Sequence, residues 1–471
     1  MKKNVHAFGD DALGYGDAVE LAAAIASKRV SPVEVTQAAI ARAEKVNPVL
    51  NAIACPNYEK ALQTATEPFT GFFGGLPTFI KDNENLKGLP TQFGTKAFVA
   101  RPATRNSKYV NQMLSTGLNA IGKTTLPEFG LICSTENPKW GITRNPWNTE
   151  YTTGGSSSGS AAMVAAGVVP IAMANDGAGS TRIPASCCGL VGLKPTRDRL
   201  INFEGSGILP INIGYEGVVT RSVRDTVAFY TAAEQHFQNK KLLPIGNNLQ
   251  PISKRLKVVF FDNLPQDKMG HQDKETHDTI LQTAALLQSL GHQVEMRPFP
   301  LDVDFLAHHF LSYYGLLAFL MKDLGRVVYK AKLNKHELEN FTTGLSKHFT
   351  SNISKLPGSL KLLKKTGAEV EALLKDFDVI LTPVVSTTVP KIGYFDPTLS
   401  YEEISKRAIA FASFTGLQNI TGSPAIALPL GMSQDGLPIG VHFTANSGQD
   451  RMLLELSLEL EAAHPFKRIW E

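Results

Sequence analysis

Gly154-Gly155-Ser156-Ser157-Ser158-Gly159-Ser160, then Asp176-Gly177-Ala178-Gly179-Ser180-Thr181-Arg182-Ile183-Pro184, decide how this chain is read. Two glycine-rich turns, each ending in serine, flank a segment of small and apolar residues. Ser160 to Gly167 reads as a helix packed tightly in the interior, and Val168 to Met173 as the strand that follows. Turns of this composition aim successive backbone N–H groups at one point, which is what an oxyanion needs. Upstream lies Gly75-Leu76-Pro77-Thr78-Phe79-Ile80-Lys81-Asp82. A lysine closing an apolar strand is unusual, because burying its charge is costly. Once desolvated, its pKa falls and the neutral amine can act as a base. The competing reading pairs Lys81 with Asp82 or Asp176 and leaves the serines as caps and turn residues.

Two other patterns overlap this region. Gly117-Leu118-Asn119-Ala120-Ile121-Gly122-Lys123-Thr124 matches the phosphate-loop pattern G-x-x-x-x-G-K-[ST] in full. That motif needs a strand before the first glycine and a helix starting at the lysine. Here the context is reversed: Tyr109 to Leu114 reads as helix, Gly117 suits its C-cap and Asn119 to Ile121 reads as strand. Pro127 follows soon after, and Phe260-Phe261-Asp262 offers only a commonplace strand-end acid. A P-loop NTPase built on Lys123 is disfavoured on that context. Gly155 to Gly159 also contains G-x-S-x-G centred on Ser157, the elbow that sets a nucleophile between strand and helix. The helix is expected, but Asn145 to Glu150 reads as loop. His236, His292 and His442 carry no local signature of a general base.

The remaining chain fits a large α/β protein. It has 471 residues, 43% hydrophobic and 19% charged, which excludes a disordered chain. A formal net charge of +4 calls for no nucleic acid. Cys55, Cys133, Cys187 and Cys188 form no Cys-x-x-Cys pair, so no metal site is expected. The basic start lacks an apolar signal core, and a cytoplasmic, reduced setting is the expectation. Phe305 to Met321 is the longest apolar-rich stretch. It is broken by His308, His309, Ser312 and Gly315 and is short for a membrane span, so no membrane partner is expected. Asp17 with Glu20 and Ser31 with Glu34 have the capping-box spacing of two N-terminal helices. Leu76 to Ile80, Lys257 to Phe261, Gln293 to Met296, Val379 to Thr382, Ala425 to Leu428 and Ile439 to Phe443 read as strands. Thr276 to Leu290 and Arg451 to Ala463 read as helices, and Leu301 to Leu374 as mostly helical. Strands alternating with helices predict an α/β sheet covered on both faces. No linker is visible, so one domain over residues 1–471 is expected.

These residues resemble the amidase signature family, the Ser–cis-Ser–Lys amide hydrolases. The likeness is dense from Leu76 to Thr196. It includes Ile80-Lys81-Asp82-Asn83, Gly122-Lys123-Thr124, Ser134-Thr135-Glu136-Asn137, Thr143-Arg144-Asn145-Pro146-Trp147 and Gly192-Leu193-Lys194-Pro195-Thr196. It resumes in Asp378 to Pro383 and Gly436 to Gly440. Ser180 lies 24 residues after Ser156 and 99 after Lys81, spacings similar to family members. The run Ile183 to Gly189 is most similar to hydrolases of cyclic or linear aminoalkanoate amides.

The resemblance implies an α/β amidase signature fold with a large mixed sheet covered by helices on both faces. Its core would span residues 71–235, with a divergent, mostly helical substrate-selecting region near 300–375. It implies Ser180 as nucleophile, Ser156 as bridging serine on a cis peptide after Gly155, and Lys81 as base. Gly177, Ala178, Gly179 and Ser180 would supply oxyanion-hole N–H groups, Asp176 and Arg182 an orienting ion pair, and Gly122-Lys123-Thr124 a strand-end turn. No metal or organic cofactor is needed. The expected partner is a small or medium, linear or cyclic amide, with at most a second copy of the chain in a homodimer. A glutaminase-type amidotransferase subunit is the alternative function, and a non-catalytic binding scaffold a remoter one. Cys133 falls near the expected pocket. Residues 305–321 carry more apolar surface than one helical face needs. Some of them, Phe310 and Tyr314 included, are expected to line an apolar acyl cleft, the alternative being that all pack into the core.

Overall fold

The computed structural model describes residues 4–138, 140–261, 272–298, 303–325 and 332–471, with side chains of the helix that begins at 303 described from 307. Asp262 and the side chains of Phe305 and Leu306 fall outside the described residues.

The chain opens with α1 (Ala18–Ala26) and α2 (Pro32–Leu50). Ser31 and Glu34 form the expected reciprocal box: the Ser31 hydroxyl accepts from the Glu34 N–H at 3.2 Å, and the Glu34 carboxylate from the Ser31 N–H at 2.8 Å. Asp17 caps α1 through the Glu20 N–H, but its other oxygen takes the Ser222 hydroxyl and the Arg224 guanidinium, so its cap ties α1 to a distant segment.

A small sheet follows. β1 (Ile53–Pro56), α3 (Tyr58–Ala65), β2 (Pro77–Lys81), α4 (Lys108–Ser115) and β3 (Asn119–Thr124) assemble with β3 in the middle. It runs antiparallel to β1 and parallel to β2. Gly122-Lys123-Thr124 is therefore strand, not the strand-end turn expected. Apolar patterning stops at Ile121, but burial continues to Thr124 because Lys123 carries its own counter-ion. Its Nζ lies 2.6 Å from Asp82 and donates to the Thr91 hydroxyl and the Pro90 carbonyl. Desolvation pushes each member of the pair toward its neutral form, and their attraction opposes it. No helix starts at Lys123, which removes the geometry a phosphate loop requires.

The chain then forms β4 (Glu136–Asn137), β5 (Gly141–Ile142), α5 (Ser158–Ala165), β6 (Ile171–Asp176), α6 (Arg182–Cys188), β7 (Val191–Lys194), β8 (Tyr215–Thr220) and α7 (Val223–His236). It continues through β9 (Lys257–Phe261), α8 (Lys274–Ser289), β10 (Gln293–Arg297), α9 (Val303–Asp323), α10 (Asn340–Ser351) and α11 (Leu356–Asp376). It ends with β11 (Val379–Pro383), α12 (Tyr401–Phe411), α13 (Gly416–Thr421), β12 (Ala425–Met432), β13 (Pro438–Ala445) and α14 (Asp450–Ala463). Eight strands form one mixed sheet in the order β10-β9-β11-β13-β12-β7-β8-β6. β9 pairs in parallel with β10 and β11, and the other pairings are antiparallel.

The two sheets meet where β2 runs beside β6, and the Thr78 hydroxyl donates to the Ile171 carbonyl at 2.9 Å. α5 is buried along its whole length. At Gly159 a Cβ would sit 2.3 Å from the Ala52 carbonyl oxygen, so only glycine permits this approach. Small residues here draw the serine turn down onto β2.

Lys123→Met, which strands a buried carboxylate, is expected to lower unfolding free energy in urea by about 3–5 kcal/mol. Asp82→Leu in the same chain should recover most of that loss.

Candidate active site

Lys81 closes β2 with its side chain fully buried. Its Nζ lies 2.8 Å from Ser156 Oγ, 3.0 Å from Ser157 Oγ and 2.6 Å from Asn175 Oδ1. It pairs with neither acid considered from sequence: Asp82 is held by Lys123, and Asp176 by Arg182. Desolvation brings the amine down to about 7, partly opposed by Glu216 and Asp176.

Ser156 follows a cis peptide bond from Gly155. A Cβ at Gly155 would meet the Cys133 carbonyl carbon and the Ser134 nitrogen at 2.8 Å, which fixes glycine there. Ser157 caps α5, and its N–H donates to the Ser180 carbonyl at 3.2 Å, so the two serine turns are stitched together. No strand precedes Ser157, and its hydroxyl faces Lys81 rather than a histidine, so the elbow geometry is absent. His292 and His442 are engaged elsewhere, with Leu256 and Glu459 and with Arg182 and Thr382 respectively.

The Ser180 turn is held from behind. Asp176 accepts from Arg182 at 2.9 and 2.8 Å and from the N–H groups of Gly179 at 2.7 Å and Thr181 at 3.2 Å. Burial opposes its ionisation, but Arg182, Asn419 and Lys194 override that and hold the carboxyl well below the usual carboxylate range. Arg182 also donates to the Thr415 carbonyl and the Asn419 and Gln418 side chains. One expectation needs correcting. The Gly179 N–H points back to Asp176 and cannot serve an oxyanion. Those of Gly177, Ala178 and Ser180 have no such partner among the described residues. Gly179 has φ +123°, and a Cβ there would lie 2.2 Å from the Thr415 hydroxyl. A Cβ at Gly177 would meet nothing within 4 Å, so that glycine leaves open space beside Ser180.

Ser180 opens onto a cavity of about 590 Å³. Cys133, Ala178, Phe310, Leu311, Tyr314 and Phe341 line part of it. α9 therefore divides its apolar residues between two tasks. Phe310 and Tyr314 stack with ring centres 5.6 Å apart on the cavity wall. Tyr313 and Ala318 are fully buried, and Gly315 lets α9 approach the Leu345 carbonyl of α10. Burial pushes the Cys133 thiol up to about 12, so this residue is protonated wall rather than nucleophile.

Sequence reasoning missed Asn175, Thr415, Gln418 and Asn419. A polar residue ending the apolar run of β6 was the only signal for Asn175. The others lie in a segment with no motif and reach the site only through the fold. Among the described residues, no cluster of His, Cys, Asp and Glu could hold a metal ion, and no helix is long and apolar enough to cross a membrane.

The structure thus brings an interior lysine and two serine turns together beside an apolar cavity, and comparison with known proteins shows the family. The amidase family model matches residues 34–454. AmiC of Mycobacterium leprae is 46% identical over 467 residues, covering 99% of each chain. A 6-aminohexanoate-cyclic-dimer hydrolase of Pseudomonas sp. is 31% identical, covering 96% of this chain and 95% of that protein. The solved structure of a 6-aminohexanoate cyclic dimer hydrolase complexed with substrate superposes with a TM-score of 0.87 at 29% identity, covering 97% of this chain and 98% of that one. The chain belongs to the amidase family and is an amide-hydrolysing enzyme.

Asp176→Asn would leave Arg182 buried without a counter-charge. It is expected to cost about 3–5 kcal/mol in urea unfolding at neutral pH. Because the native carboxyl is depressed, its contribution is present above about pH 4 and is lost as pH falls further, so the gap between the two proteins should narrow in acid.

Proposed function

We propose that the enzyme cleaves amides through an acyl-enzyme on Ser180, with Ser156 and Lys81 as the proton relay. The observation that carries this reading is the Lys81 amine, excluded from water and 2.8 Å from Ser156 Oγ. A neutral amine has two N–H bonds and one lone pair. Asn175 Oδ1 can only accept, so it takes one N–H. Ser157 turns its hydroxyl toward the Asn175 carbonyl and accepts the second. The lone pair is left for Ser156, whose hydroxyl proton moves to Lys81 as Ser156 takes the proton of Ser180. Ser180 Oγ then bonds to the amide carbon, and the oxyanion is held by N–H groups of Gly177, Ala178 and Ser180. The proton returns through Ser156 to the departing nitrogen as the C–N bond breaks. Water repeats the relay to release the acid.

The apolar cavity wall supports an aliphatic or aromatic acyl chain as the preferred partner of Ser180. Similarity to a 6-aminohexanoate-cyclic-dimer hydrolase supports linear or cyclic aliphatic amides within that class.

A fluorophosphonate should label wild type at Ser180, and Ser180→Ala should lose about 10⁴-fold or more in amide turnover with an unchanged melting temperature. Substantial residual turnover would sink the nucleophile assignment. Since the neutral amine is the base, kcat/KM should rise about tenfold per pH unit below about 7 and level off above it. A profile flat from pH 5 to 9 would exclude Lys81 as the titrating base. Phe310→Ala should favour longer or bulkier acyl groups, measured as a shift in kcat/KM across a chain-length series. If every substrate lost rate equally, Phe310 would be packing alone.

A further inference from the structure

Behind the relay lies a buried acid that it does not use. Glu216 sits on β8 directly opposite Asn175 on β6, the residue that receives the Lys81 N–H. Directly opposed residues of an antiparallel pair project to the same face, with side chains in contact. Glu216 is 3% exposed. That pairing sets the Asn175 side chain beside its carboxyl group, whose Oε2 is buried with no partner. Leaving a buried carboxyl oxygen without a partner is costly, so a role for the group is expected. No cation forms an ion pair with Glu216 among the described residues. The groups facing it are Lys81 on β2, Glu84 just after β2, Tyr109 on α4 and Tyr230 on α7. The two phenols donate to the Gly217 and Leu193 carbonyls, so neither serves the carboxyl.

We propose that Glu216 is a positioning residue for the relay: by accepting from the Asn175 carboxamide it fixes Asn175 Oδ1 on Lys81 and so keeps the amine's lone pair aimed at Ser156. This rests on the acyl-enzyme reading above. A carboxamide is a two-ended group, with an acceptor at one end and donors at the other. Without Glu216, Asn175 can turn its NH₂ toward Lys81. That NH₂ would compete for the lone pair, and one Lys81 N–H would be free to turn toward Ser156. Desolvation, with Glu84 nearby, drives the Glu216 carboxyl well above its ordinary range, and the attraction of Lys81 opposes it. A glutamine offers the same acceptor oxygen without a charge.

The test is a double-mutant cycle on the full-length enzyme with an amide substrate. Glu216→Met should lower plateau kcat about tenfold and move the acid limb of the pH profile to lower pH, because an NH₂ facing Lys81 disfavours the ammonium. Glu216→Gln should recover most of the rate and the original limb. In an Asn175→Ala background, Glu216→Met should cost less than twofold more, since its route of action is already gone. Glu216→Val, a strand-favouring residue too short to reach Asn175, carries the same expectations if the methionine variant does not fold. Full multiplication of the two losses, or a kcat loss with the pH limb unmoved, would overturn the proposal. Fluorophosphonate labelling of wild-type Ser180 separates the two levels: no labelling defeats the acyl-enzyme reading itself, whereas normal labelling with a multiplicative cycle defeats only Glu216.

Discussion

A lysine amine taken wholly out of water, with no carboxylate in ion-pair contact among the described residues, is the constraint from which the rest of this site follows. Had Asp82 or Asp176 paired with Lys81, attraction would have kept the amine charged and unable to accept a proton. Each of those acids is instead held by a different cation, Asp82 by Lys123 and Asp176 by Arg182. The two buried pairs thus do more than hold the fold together. They occupy the nearby anions, so that desolvation decides the state of Lys81. The phosphate-loop-like segment gains a physical role on this view, since its lysine keeps Asp82 occupied.

The geometry depends equally on two sheets meeting at one seam. Lys81 arrives on β2 of the small sheet and Asn175 on β6 of the large one, and the turn leading into α5 carries Ser156 and Ser157 between them. Small residues in α5 and glycine at 155, 159 and 179 let backbones approach where any Cβ would collide. Beside Ser180, by contrast, a Cβ at Gly177 would meet nothing within 4 Å, and the cavity opens there. On the proposed reading, chemistry and selection are therefore built from different parts of the chain. The serines and lysine come from strand ends and turns of the first half, whereas Phe310, Leu311, Tyr314 and Phe341 come from helices of the divergent half.

Much of this was legible in the residues. Lys81 stood out because a charged residue closed an apolar strand, and the two serine turns because glycine and serine repeated around a small-residue helix. Alternation of strands and helices revealed the α/β class. What could not be read has definite causes. Strands β7 and β8 hide within motif and loop-like sequence: β7 pairs on one side with β12, more than 200 residues away, and both strands contain small residues, Gly192 and Gly217. The direction of the Gly179 N–H depends on where Asp176 points, which spacing does not encode. Asn175 and Glu216 come opposite each other only through the register of β6 on β8. The segment around Thr415 to Asn419 reaches Asp176 and Arg182 purely by tertiary folding.

The central claim is that Lys81 is uncharged when the enzyme works. Its most direct test is an NMR titration of the free enzyme with ¹⁵N-labelled lysine side chains, using Lys81→Met to assign the signal. The account expects the Lys81 Nζ resonance to titrate with a midpoint near 7, far below the exposed lysines. A Lys81 signal still at the ammonium shift at pH 9 would contradict it.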